Sequence, residues 1–166
     1  MKRLIAILVV AVLMMLSSCG QALFLNLASS DNNVSQKEVC DYIDGKTDSL
    51  KECADRALQS GSPLSNEELV GILGEETIVE GARAEIDGQN RVVVFDCGGS
   101  GIGGDSEYSG FYYSENDIPF GVDFAEICTF TETEPDTYCW SEEGGSHSVY
   151  TVRLTENWFY FYEIYH

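Results

Sequence analysis

The chain has 166 residues, with 28 acidic residues against nine basic ones and a net charge of −19. That balance excludes nucleic acid as a partner, because phosphate binding needs clustered Lys and Arg. His147 and His166 are the two histidines, and no cysteines fall at C-x-x-C spacing, so no pattern for a structural zinc site is present.

The N-terminus reads as a targeting segment. Lys2 and Arg3 precede an unbroken apolar run over residues 4–16. Thirteen residues are too few to span a bilayer, which needs about 20, but suit a signal-peptide h-region. The run ends in Leu16-Ser17-Ser18-Cys19, which resembles the lipobox of bacterial lipoproteins. The resemblance covers residues 1–20 alone. It implies acylation of the Cys19 thiol and cleavage before it, so that Cys19 becomes a lipidated N-terminus. Gly20 stands where the inner-membrane retention signal has an aspartate, which leaves the cell membrane and an outer membrane both open. The expected division is signal peptide 1–18, lipidated cysteine and tether 19–34, and one domain over 35–166. Without Lys2 and Arg3, seven basic residues face 28 acids. A mature charge of −21 disfavours docking on anionic headgroups, so the lipid on Cys19 is the expected membrane contact.

The domain begins with helices. Ser35 and Glu38 have capping-box spacing. Val39, Ile43, Leu50, Ala54, Ala57 and Leu58 then share one helical face. Gly45 costs about 1 kcal/mol in a helix interior, yet the seven-residue step from Ile43 to Leu50 preserves phase. The expectation is one helix over about 36–59, stopped by Gly61. Cys40 and Cys53 then lie about 20 Å apart along it, too far for a disulfide; a helical hairpin breaking over residues 44–48 would permit that bond. Ser65 and Glu68 repeat the capping box before a shorter helix with Leu69, Ile72 and Leu73, stopped at Gly74.

From about residue 77 the pattern is strands and short turns. Residues 82–86 and 91–97 flank Asp87-Gly88, a hairpin signal. Further strands are read over 108–114, 125–130, 137–140, 147–154 and 158–165, with "TETEPD" as a turn. The fold class expected is α+β, with one or two N-terminal helices packed on an antiparallel β-meander of about six strands. The last strand places Trp158, Tyr160, Tyr162 and Ile164 on one face. Phe159, Phe161 and Tyr165 take the other, interrupted by Glu163. Two aromatic faces put it inside the sheet.

Residues 92–104, "VVVFDCGGSGIGG", carry Gly99, Gly101 and Gly104 at dinucleotide-loop spacing. Such a loop must feed a helix N-terminus. Here "DSEYSGFYYS" follows, with no helical period and with acids that repel phosphate. Gly98, Gly99, Gly101, Gly103 and Gly104 are read instead as a flexible connection with the chance of a binding loop.

An exported chain permits disulfides. Once Cys19 is acylated, five cysteines remain. Cys128 and Cys139 are the expected pair, closing a hairpin. Asp96 beside Cys97 does not lower its pKa, so Cys97 reads as a buried strand residue or a disulfide partner. His147 lies in "EEGGSHS", an expected exposed turn. Ser146-His147-Ser148 is adjacency, not a triad. Asp41, Asp44 and Asp48 cluster near Gly45 without the oxygen spacing of a calcium loop.

The function expected is a membrane-anchored extracytoplasmic lipoprotein with a non-catalytic binding module, its partner a protein or a glycan. The alternatives are a small carboxylate-based envelope hydrolase and a calcium-dependent surface or adhesion protein. No cofactor is expected beyond that calcium.

Overall fold

The protein is described by a computed structural model covering residues 33–87, 89–102, 105–121 and 129–166. Residues 1–18, expected to be a signal peptide, and Cys19, Gly103, Gly104 and Cys128 therefore lie outside the described residues, as do residues 125–128 of one expected strand.

Helix α1 spans Gln36–Ser60. The Ser35 side chain accepts from the Glu38 amide while the Glu38 carboxylate accepts from Ser35, completing the capping box. Gly61 ends the helix in a left-handed conformation, φ 63°, which glycine adopts without a Cβ penalty. The expected tension at Gly45 is visible one residue later: Lys46 leaves helical geometry at φ −137° and kinks the helix. Its ammonium donates to the Leu73 carbonyl, at the C-terminus of helix α2, Asn66–Leu73. A cation there complements the helix dipole. The break is thus used to join the two helices.

Seven strands follow: β1 Gly81–Asp87, β2 Asn90–Ile102, β3 Asp105–Ser114, β4 Thr131–Glu134, β5 Thr137–Ser141, β6 His147–Thr155 and β7 Trp158–Tyr165. They form one antiparallel sheet of order β1-β2-β3-β7-β6-β5-β4. The architecture is α+β, but the sheet is two meanders rather than one. β1 to β3 form the first, and β4 to β7 form the second. They join where β3 pairs with β7, Phe111 opposite Tyr160. The connection after β3 therefore crosses from the middle of the sheet to its far edge. The segment read as the "TETEPD" turn contains β4, with Glu134 opposite Thr137, so the turn is tighter than expected.

The helices cover one face. Val39, Ile43, Leu50, Ala54, Ala57, Leu69 and Leu73 pack there against Val93, Phe95, Phe111, Trp158 and Tyr160. Phe95 stacks on Phe111 at 4.8 Å. The other face carries a second cluster of Val92, Val94, Tyr112, Phe159 and Phe161, with Tyr112 and Phe159 stacked at 5.0 Å. Phe120, in the described start of the β3–β4 connection, packs against this cluster, and its amide donates to the Tyr112 hydroxyl. β7 is central and buried on both faces, as its two-sided aromatic pattern requires.

Candidate functional site

Strand alternation builds a polar cluster into the outer face, at the end of the sheet where β7 finishes. His147 opens β6 and pairs with Tyr165, while Glu163 lies opposite Val149 and Tyr108. Each of these residues therefore points to the face away from the helices. His147 Nε2 and Glu163 Oε1 are 2.8 Å apart. Both are buried, at 5 % and 1 % exposure. The Tyr165 hydroxyl donates to the same carboxylate oxygen at 3.2 Å. A carboxylate taken out of water needs such partners, since an uncompensated buried charge costs several kcal/mol.

Rings enclose the pair. Tyr165 stacks on the imidazole at 4.3 Å and 8°, and Trp140 meets its other flank edge-on at 5.1 Å. Tyr108 extends the row, edge-on to Tyr165 at 6.0 Å. Four strands, β3, β7, β6 and β5, thus contribute one ring each to a continuous aromatic row. Tyr108 is its open end, 46 % exposed.

His147 is not in an exposed turn, contrary to the sequence expectation. The turn is made by residues 142–146, with Gly144 and Gly145 at positive φ, and His147 is already strand. Two signals were legible. His147, Val149 and Thr151 alternate, and an acid interrupts an otherwise aromatic strand. A carboxylate in such a strand calls for a buried partner. The flanking serines do not join the imidazole. The Ser146 hydroxyl donates to Glu142, and Ser148 bonds Ser141 at 3.0 Å.

The other candidates are dispersed. Gly98, Gly99 and Gly101 lie within β2 rather than in a loop, and a bulge separates Asp96 from Gly99. A Cβ on Gly99 would sit 2.6 Å from the Tyr108 ring, and one on Gly101 2.3 Å from the Asp105 carbonyl oxygen. These glycines are needed so that β3 and its tyrosine can approach. Cys97 is a buried strand thiol, pushed up by burial and then by Asp96 and Glu80. Burial likewise pushes Cys53 up to about 11. Neither is an activated thiolate. Cys40 and Cys53 share one helix and are free thiols. Cys139 sits opposite Thr131 and is a free thiol among the described residues. Asp41, Asp44 and Asp48 are exposed along α1, with Asp41 paired to Lys37. Among the described residues no three His, Cys, Asp or Glu side chains are grouped to hold a metal, and no helix is long and apolar enough to cross a membrane.

A carboxylate-held imidazole can take or release a proton, and an exposed tyrosine beside a stacked row can bind a flat or apolar surface. No protein-family model, no curated protein and no solved structure matches the chain.

Proposed function

We propose that the protein is a lipid-anchored, extracytoplasmic binding module of a bacterial cell envelope, held at the cell membrane or an outer membrane through Cys19. The observation that carries this reading is the order of chemistry in residues 2–19: two basic residues, a 13-residue apolar run ending in Leu16, then Ser-Ser-Cys. Each buried acyl methylene contributes about 0.8 kcal/mol, and a domain carrying so many acids has no other evident hold on a bilayer. Binding rather than turnover is supported by the aromatic row, since Tyr and Trp are enriched where proteins contact partners. The partner class is a protein or a glycan.

The test is Cys19→Ala. The variant is expected in the soluble fraction, whereas the parent sediments with membranes. Membrane retention of Cys19→Ala protein refutes the anchor.

A second reading draws on the His147–Glu163 pair. An oriented imidazole is one half of a general-base device, which a small envelope hydrolase would use. It requires turnover of a simple ester or glycoside that is lost in His147→Gln while the fold is kept. Absence of turnover leaves the binding reading in place. Calcium-dependent adhesion would instead show as a rise of several degrees in Tm at millimolar calcium.

A further inference from the structure

Both ends of the outer face carry a ring with carboxylates near it, but only one end has a base. Where β7 begins, the Arg153 guanidinium lies over the Phe159 ring, 5.0 Å from its centroid, and pairs with Asp117 and Asp136. Where β7 finishes, Tyr108 stands at 88° to Tyr165, with ring centroids 6.0 Å apart. The two rings form the walls of a corner. Tyr165 is half-buried and lies flat against His147, while Tyr108 is exposed. The Tyr108 ring is seated over Gly99, where a Cβ would come within 2.6 Å of its Cδ1. That seat fixes one edge of the ring and leaves a face to solvent. The acid is Glu142. Its amide donates to the His147 carbonyl at 2.9 Å, alternation from Trp140 places its side chain on the same face, and it is exposed.

Strands β3, β5 and β7 contain no Lys or Arg, and the base of β6 is Arg153, at the other end. The remaining bases of the described residues are engaged elsewhere. Those of α1 pair with acids one turn away or bond the Leu73 carbonyl, and Arg83 and Arg91 pair with Asp96 and Glu115. Among the described residues the corner therefore has no cation of its own. A tyrosine face near a carboxylate, in a chain of net charge −19, suits a guanidinium, which stacks on aromatic faces and donates to carboxylates from its edge. Tyr108 on β3 and Glu142 just beyond β5 are three strand spacings apart, roughly 14 Å. Four positions of extended chain cover about 13 Å and bring side chains back to the same face.

We propose that this corner binds an extended, basic protein segment laid across β3, β7, β6 and β5. One arginine stacks on Tyr108, and a second, four positions away, pairs with Glu142. The arrangement repeats between molecules what Arg153 does within the chain at the other end. It rests on the reading of the aromatic row as a binding surface and names the partner as a protein rather than a glycan; it does not depend on the lipid anchor.

The experiment follows amide NMR shifts of the full chain, in a zwitterionic detergent, as probes are added. The probe is acetyl-Arg-Ser-Ser-Ser-Arg-amide. Acetyl-Arg-Arg-Ser-Ser-Ser-amide is the control of equal charge, and chitotetraose is the neutral glycan. The spaced peptide should shift Tyr108, Tyr165 and Glu142 and bind about threefold tighter than the control, the scale of one exposed ion pair. Tyr108→Leu keeps every charge and should weaken binding about fivefold, the scale of an exposed cation–π contact. Tyr108→Phe keeps the ring and should stay within about twofold of the parent. Glu142→Gln, at an exposed position, should weaken binding about threefold. Unchanged affinity in Tyr108→Leu overturns the proposal, because the peptide then follows the general acidity of the chain. Shifts of the row by chitotetraose and not by the basic peptide overturn it in favour of a glycan and leave the binding reading standing. No shift of the row with any probe overturns the proposal and withdraws the row's support for binding as well.

Discussion

The two ends of the sheet are held by different means. At the end where β7 begins, side chains latch the turns. Asp117, Asp136 and Asn157 all adopt positive φ, at 55°, 61° and 68°. Arg153 joins them: its guanidinium pairs with the Asp117 and Asp136 carboxylates, and it also donates to the Asp117 carbonyl. The Asn157 amide donates to Asp117 Oδ1, and its side chain to the Ser114 carbonyl. Asp and Asn tolerate left-handed backbone because short polar side chains bond locally. At the other end glycines do that work, and the load falls on close backbone approach and on one buried polar pair. A turn latched by side chains can be loosened by removing a charge. An arm built on glycine is instead broken by adding a methyl group.

The largest test of this contrast is Glu163→Ala. It removes one partner of a buried pair and should cost about 3–5 kcal/mol by urea unfolding. Glu163→Gln keeps the shape and one acceptor and should cost less. A loss under about 1 kcal/mol in Glu163→Ala would mean that the pair does not hold its end of the sheet. Next is Gly101→Ala. Its Cβ would meet the Asp105 carbonyl at 2.3 Å with φ at 139°, a strain of about 2 kcal/mol. Amide exchange should rise in residues 98–108 and stay unchanged around Asn157. Uniform acceleration would show instead that the two ends unfold as one unit.

Arg153→Ala should cost about 1–2 kcal/mol, the scale of a partly exposed charge network, with faster exchange at the Asp117 and Asn157 amides. The smallest effect is that of pH on this latch. Desolvation raises the Asp117 pKa, but the hydrogen bonds from Arg153 and the Asn157 amide outweigh it and hold the carboxyl below its ordinary value. A depressed carboxylate contributes stability that is present above its unfolded pKa, about 3.9. That contribution is lost as pH falls through the lower folded value. Urea midpoints taken between pH 5 and pH 3 should therefore fall more steeply in the parent than in Arg153→Ala. Parallel slopes would remove Asp117 from the latch.

Much of the fold was legible because its signals are local. Both capping boxes, the Gly61 stop, the seven-residue step across Gly45 and the two-faced aromatic strand depend on neighbours within a turn or on side-chain alternation. The division of the sheet into two meanders was not legible, because it depends on which strand lies beside β3, fifty residues away. The polar pair was half legible. Glu163 stood out as an acid in an aromatic strand, but its partner is set by the register of β6 on β7. Gly144 and Gly145 made His147 look like part of a turn, and one residue of register decides its face.

By itself the sequence determined the helices, their caps and stops, the antiparallel α+β class and the central place of the last strand. It also carries the order of residues 2–19 on which the anchor proposal rests. Tertiary structure alone decided the sheet order, the enclosure of His147 with Glu163 between Tyr165 and Trp140, and the clamping of Asn33 and Val34 beside Glu107 and Ser109. The reason is physical: caps and periodicity are written within a few residues, whereas burial of a charge and pairing of distant strands exist only once the chain has closed on itself.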